Sequence, residues 1–343
     1  MATTPPSAPS TARRLVFPAA NSVEIESFPV GATGPDEVLI ETQTSLMSTG
    51  TETIAFARKF EAGTHWDKWV RYPFYPGYAS VGIVRDVGPG ATRFAVGQRV
   101  ACRGGHRSHH LLPAAQCYAI PDSIASADAV WFALAKIAGH GVRAAGITLG
   151  ENVLVIGAGP IGQMAVRWAR AAGAGKVLCL DLAETRLQLA ADAGAIPIAG
   201  APASDLLERV TRELGGERPP IVIDSTGNAA VLRTAFSLTA NHGVVVLLGD
   251  TGTPGGQTLT GDVISRGLRL VGAHDVHNTP AWNNPVSADR FFSFVADGRF
   301  PTRGLNTHHF KPEACQEAYA LAVGDRLRTM GILFDWTDDA STP

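Results

Sequence analysis

Residues 153–162 read VLVIGAGPIG, an apolar run that breaks directly into glycines. Val153 to Ile156 has the continuous, β-branched character of a strand buried on both faces. Gly157, Gly159 and Gly162 follow in GxGxxG spacing, with Pro160 and Ile161 in the same loop. The first glycine permits a tight turn, the second lets a pyrophosphate approach the backbone, and the third lets the next helix pack close to the strand. The N-terminus of that helix offers free N–H groups and a positive dipole end to phosphate oxygens. The next strand, KVLCLD, ends at Asp181, about two dozen positions after the first glycine, which is the spacing of a ribose-binding carboxylate. A carboxylate there accepts from both ribose hydroxyls and repels a 2′-phosphate, so NAD is expected over NADP. The competing reading of Asp181 is a helix cap. Arg186, one turn on, is placed to touch the adenosine ribose, and it would soften the repulsion of NADP.

Strands and helices alternate on either side of this loop. PIGQMAVRWARAAGA is helical, as are AETRLQLAADAGA, SDLLERVTRELGG and AAVLRTAFSLTA, while PIVIDSTG, GVVVLLGD and GLRLVGAHD are strands. The pattern is a doubly wound parallel α/β unit, placed over residues 138–275. Ser225, Thr226, Gly249 and Asp250 end parallel strands at the carboxyl edge, where cofactors bind, and His274, Asp275 and His277 follow the last strand. Upstream, residues 13–103 hold short β-rich runs punctuated by Gly and Pro, the signature of a small barrel or folded sheet. Between the two, DSIASADAVWFALAKIAGHGVRAAG has helical spacing, with Ser123 or Ser126 as the expected cap. Residues 12–137 and 276–343 are assigned to the first unit, and 1–11 to a disordered lead-in.

The chain has 343 residues, is 45% hydrophobic and 17% charged, and carries a formal net charge of −2. That balance gives no electrostatic reason to expect nucleic acid or an anionic membrane as a partner. No apolar run approaches the roughly 20 residues that cross a bilayer, and the N-terminus lacks a signal-peptide pattern. Cys102, Cys117, Cys179 and Cys315 form no CxxC pair. They read as buried thiols of a reducing cytoplasm.

GPDEVLIET, GIVRDVGPGATRFAVGQRV, HGVRAAGITLGENVLVIGAGPIGQMAV and GVVVLLGD together resemble the medium-chain dehydrogenase/reductase superfamily, of the zinc-type alcohol dehydrogenase kind. The resemblance covers nearly the whole chain. It implies a GroES-like catalytic domain interrupted by a Rossmann domain, with the substrate cleft between them, and a homodimer paired along the strand near GLRLVGAHD. STGTE at 48–52 and GYASVG at 77–82 resemble the bacteriochlorophyllide dehydrogenase-like branch, which often has GYES where this chain has GYAS.

The same resemblance places the metal ligands on residues unsuited to them. The catalytic zinc Cys falls near Ser48, the His on Tyr78, and the third ligand near Ala133–Leu134. A short CRGGHRSHHLLP replaces the four-cysteine lobe, and its His106, His109 and His110, in a loop, read as a polar surface or cleft lining rather than a metal site. A zinc-independent enzyme is therefore expected, in which side chains move the alcohol proton and stabilise the oxygen. Tyr78 is the candidate acid–base group, with Lys136 as the cation that lowers its pKa. Ser48 and Thr51 are candidates for a proton relay beside Glu52. In the alternative reading Tyr78 is packed core and Lys136 pairs with Glu52. His140 either stacks near the cofactor or packs, and Trp66 and Trp69 are candidate platforms at the cleft mouth.

The expected function is an NAD-dependent dehydrogenase that interconverts a secondary alcohol (a polyol, sugar, cyclitol or ring-borne hydroxyl) and its ketone. Two alternatives stand beside it: an NAD(P)H-dependent alkene or quinone reductase, and a non-catalytic NAD-binding protein.

Overall fold

The computed structural model describes residues 11–337. Most of the 1–11 lead-in therefore lies outside the described residues. Its last residue, Thr11, does not belong to a lead-in, because it starts a strand paired with Pro29.

The first unit runs β1 (Thr11–Val16), β2 (Glu24–Pro29), β3 (Glu37–Met47), α1 (Thr49–Phe56) and α2 (His65–Trp69). It continues through β4 (Ser80–Val87), β5 (Arg99–Cys102), β6 (His109–Pro113) and β7 (Cys117–Ala119). β3 is the organising strand, pairing antiparallel with β4 and β6. A short helix, α3 (Ser126–Ala129), and the longer α4 (Phe132–Ala145) lead into the second unit. α4 is one unbroken helix, so the boundary set at 137/138 falls inside it and is not a break between folding units.

The second unit is a six-stranded parallel sheet of β8 (Val153–Ile156), β9 (Val177–Asp181), β10 (Ile196–Ala199), β11 (Ile221–Asp224), β12 (Val244–Leu247) and β13 (Arg269–Gly272). Their order is β10-β9-β8-β11-β12-β13, the doubly wound arrangement the sequence implies. The crossovers are α5 (Pro160–Ala171), α6 (Glu184–Asp192), α7 (Ala203–Glu213) and α8 (Ala229–Leu238), with the short α9 (Gly261–Ser265) before β13. The edge strand β10 was not expected: its IPIA is too short to show a period.

Beyond β13 lie α10 (Asn284–Ala296), β14 (Asn306–Phe310), α11 (Cys315–Gly324) and β15 (Gly331–Asp335). β15 pairs with β3 and β14 with β15, which returns the chain to the first sheet. α10 packs instead on α4 and α5: Phe292 meets Phe132, and Phe294 meets Trp168. One buried cluster, including Trp131, Phe132, Trp168, Trp282 and Phe291, runs from the first sheet through α4 to the second. The two units therefore share a core.

Candidate active site

The glycine loop joins β8 to α5. Gly157 has φ +92°, which favours glycine, and a Cβ there would lie 2.7 Å from Ser225 Oγ. A Cβ on Gly162 would stand 1.7 Å from the carbonyl oxygen of Gly157, so no other residue lets α5 start this close to β8. Gly159 caps α5 in extended backbone, with Pro160 at the first helical position and Ile161 behind it. Ser225 closes the loop from beneath, its hydroxyl donating to Ile156 O and Gly157 O, both at 3.0 Å. Gly249 packs on the same turn, where a Cβ would meet Gly227 N at 2.2 Å. This is a cradle built for backbone approach, and it fits a pyrophosphate.

Asp181 ends β9, and its carboxylate accepts from Ala158 N (2.6 Å) and Ala183 N (2.8 Å). Ala183 is the cap residue of α6, so Asp181 ties two loops together rather than capping the helix itself. A carboxylate has about four lone-pair sites, so two remain for ribose hydroxyls. Arg186 sits over the loop, with NH1 3.6 Å from where a Gly159 Cβ would be. It is pinned by hydrogen bonds to the carbonyls of Arg326 and Thr329, while its buried Nε has no partner. Asp250 and His274 are turned toward each other and toward α2: Asp250 Oδ2 is 2.8 Å from His65 Nε2 and 3.7 Å from His274 Nε2. The carboxylate proposed to face cofactor is thus bonded across the cleft to the first unit.

At the substrate end, Tyr78 donates to Ser48 Oγ at 2.5 Å. Burial pushes the phenol above its ordinary value, while the Ser48 and Thr51 hydroxyls, and more weakly Arg103, pull it back. The sequence reading expected Lys136 to lower it. The structure gives Lys136 a different partner: its Nζ lies 2.9 Å from Asp275 Oδ1 and donates to Asp275 O at 2.9 Å. The alternative partner, Glu52, is not bonded to Lys136 either. Glu52 is 2% exposed and accepts from Ser48 N (2.8 Å), His106 Nε2 (2.9 Å) and Tyr319 Oη (2.5 Å). The cation nearest the phenol is Arg103, whose Cζ lies 5.2 Å from the Tyr78 ring centroid.

Other expectations also change. His106 and His110 are buried, not surface residues, and His109 and His110 belong to β6. His106 bridges Ser45 (2.7 Å) and Glu52, while His110 lies under Gly104 and burial holds it well below the ordinary histidine value. Trp66 is 3% exposed and packs in the core, whereas Trp69 is 51% exposed and stands against Phe74. His140 is buried edge-on to Trp282, and burial holds it down at about 4, so it is neutral at working pH. Neither Ser123 nor Ser126 caps a helix; Ala125 and Trp131 occupy those positions. Sequence reasoning missed Arg103, Tyr319 and Trp282. Of these only Arg103 carried a signal, as one of two arginines where the cysteine lobe is missing.

Residues 34–155 match the alcohol dehydrogenase GroES-like domain, and residues 160–284 match the zinc-binding dehydrogenase domain. The chain belongs to the zinc-type medium-chain dehydrogenase superfamily. Sorbitol dehydrogenase of Gallus gallus is 28% identical, covering 89% of this chain and 91% of its own. L-threonine 3-dehydrogenase of Stenotrophomonas maltophilia is 27% identical, covering 88% and 94%. An E. coli CFT073 alcohol dehydrogenase solved with NADH shares the fold at TM-score 0.80 and 20% identity, over 95% of this chain and 100% of that one.

The residues at the superfamily's metal position are poor ligands. Ser48 Oγ and Tyr78 Oη are bonded to each other, and Ala133 and Leu134 are buried apolar residues. Among the described residues no group of three or more His, Cys, Asp or Glu converges to hold a metal ion. This donor set does not fit zinc, which takes three protein ligands from Cys, His, Asp or Glu at a catalytic site.

Proposed function

We propose that this protein is a zinc-independent, NAD-dependent dehydrogenase that interconverts a secondary alcohol and its ketone, with Tyr78 as the acid–base group. That it is an oxidoreductase acting on CH–OH groups follows from its family and from dehydrogenase relatives that align over most of its length. The observation that carries the finer reading is the Tyr78–Ser48 hydrogen bond standing where the metal ligands would converge. Gly157, Gly159, Gly162 and the start of α5 would hold the pyrophosphate, and Asp181 the ribose. When bound, NAD supplies the hydride acceptor and NADH the donor.

Tyr78 then handles the proton. Its raised pKa keeps the phenol protonated at neutral pH, so it serves first as the acid that protonates a ketone oxygen during reduction. Ser48 and Thr51 stabilise the phenolate left behind. Glu52, gripped by His106 and Tyr319, fixes the Ser48 backbone and so aims the pair. Asp181 favours NAD, which weighs against the alkene-reductase reading.

The same proposal includes a cytoplasmic homodimer. Among the described residues β13 pairs only with β12, which leaves that sheet edge uncovered, and Ile264 beside it is exposed. No helix among the described residues is long and apolar enough to cross a membrane. The test is turnover of a panel of secondary alcohols with NAD after exhaustive chelation and metal analysis. Activity should persist without stoichiometric zinc, and loss of activity that zinc restores would overturn the reading.

A further inference from the structure

One group in the cleft has no task in that mechanism. Arg103 closes β5, stands over the Tyr78 ring and donates from NH1 to Asp275 Oδ1 at 2.9 Å. Lys136, on α4 from the opposite wall, reaches the same oxygen at 2.9 Å. Two cations from two elements thus converge on one carboxylate oxygen that lies beyond β13.

The surrounding charges do not balance the pair. Glu52 has both oxygens taken by Ser48 N, His106 and Tyr319, and is closed off from the cleft. Asp250 is bonded to His65, with His274 on its other side. His140, one turn along α4 from Lys136, contributes no negative charge, and neither does His277. Arg103, Lys136 and Asp275 therefore carry a local excess of one positive charge.

The donors are in excess too. A guanidinium presents five N–H groups in a planar fork, and among the described residues Asp275 is the only hydrogen-bond partner of Arg103. The Arg103 side chain is 19% exposed and none of its unbonded nitrogens is sealed from solvent, so its spare N–H groups are open to a ligand, while the Lys136 side chain beside it is 3% exposed. A planar fork of this kind is matched by a carboxylate, which takes two parallel N–H bonds.

We propose that Arg103 and Lys136 form a subsite for a carboxylate on the substrate, so that the alcohol oxidised is a short hydroxy acid. This rests on the reading that Tyr78 faces the reacting oxygen. Because the guanidinium lies against the ring of that tyrosine, a short hydroxy acid spans both groups. Asp275 holds the two cations in place between turnovers and keeps a free oxygen for a substrate hydroxyl.

The experiment titrates the full chain, saturated with NADH, with butyrate and with butyramide, which has the same shape and no charge. Calorimetry should show butyrate binding at least about tenfold more tightly, the usual scale of a charge-assisted contact. Arg103→Gln should abolish that preference, and Arg103→Lys should keep only part of it. If a variant fails to fold, the wild-type comparison decides the matter alone, together with weakening of butyrate binding by salt. Equal affinities, no measurable binding of either compound, or a preference unchanged in a folded Arg103→Gln protein would each overturn the subsite.

Turnover separates the two claims. Oxidation of neutral 2-butanol without preference for 3-hydroxybutyrate would remove the subsite and leave the dehydrogenase reading standing. Butyrate held through Arg103 with no NAD-linked turnover of any alcohol would do the reverse.

Discussion

Tyr78→Phe removes one oxygen atom and tests the centre of the mechanism. The hydroxyl donates to Ser48 Oγ at 2.5 Å, so its loss leaves Ser48 with one partner fewer. A hydrogen bond of this kind contributes about 0.5–1.5 kcal/mol net, and the apolar ring is easier to bury, so the fold should lose about 1 kcal/mol or less. In a chain of this size that lowers Tm by about 2 °C at most. NADH binding, which depends on the glycine loop and Asp181, should not change. Turnover should fall by about 10²–10⁴-fold, the contribution of a positioned acid–base group. The pH profile gives a second readout. The phenol is raised above its ordinary value, so the proton it donates during ketone reduction is present at neutral pH and lost as pH rises through that pKa. Wild-type reduction, followed by NADH absorbance, should therefore be flat through neutrality and fall on the alkaline side, while oxidation rises there. The Phe variant should lack both limbs. Near wild-type turnover with the alkaline limb intact would refute the assignment and pass the proton to Ser48, Thr51 or water.

Lys136→Met should lower activity independently of Tyr78, because its ammonium is bonded to Asp275 and not to the phenol. The Tyr78→Phe/Lys136→Met double variant should be additive in ΔΔG‡ within about 0.5 kcal/mol, and turnover no lower than that of Tyr78→Phe alone would restore a joint unit. Asp181→Ala should weaken NAD by about 10- to 100-fold and improve NADP relative to it, since one charged acceptor is removed. Wild-type preference for NADPH in steady-state assays would contradict this. Glu52→Ala should destabilise the fold by about 3–5 kcal/mol, because His106, Tyr319 and Ser48 N lose a shared buried acceptor. Glu52→Gln is milder, and because the Glu52 charge pushes the Tyr78 phenol up, it should move the alkaline limb to lower pH. A limb that stays in place or moves up would break that link.

What the sequence made legible are features whose cause is local. Gly157 can be read because its φ of +92° disfavours any side chain, and Gly162 because a Cβ there would stand 1.7 Å from Gly157 O, five positions back. The strand–helix alternation can be read because its period repeats within each segment. The buried side-chain network could not be read, since its members lie far apart in sequence. Tyr319 is 267 positions from Glu52, and Asp275 is 139 from Lys136. HRSHH looked like a polar loop because histidine is usually exposed. Strand pairing with β3 instead turns His110 inward, and the hydrogen bonds of His106 to Ser45 and Glu52 make its burial tolerable. Ser126 was a sound cap by composition, but Gln43 and Arg99 claim its hydroxyl.

The pairing of Tyr78 with Lys136 failed for an electrostatic reason that also sharpens the mechanism. A lysine buried on an apolar helix must find a carboxylate, and the one within reach comes from the turn after β13, a strand of the sheet on which α4 packs. Once Asp275 takes it, no full positive charge is bonded to the phenol; two hydroxyls are. Hydroxyls stabilise a phenolate less than an ammonium does, and burial opposes it, so the balance leaves the pKa raised. A tyrosine tuned this way is a competent acid at neutral pH and becomes a competent base only in alkaline solution. On the reading proposed here, Tyr78 is therefore held in the protonated form that a ketone oxygen needs at neutral pH, a state that the GYAS motif alone did not disclose.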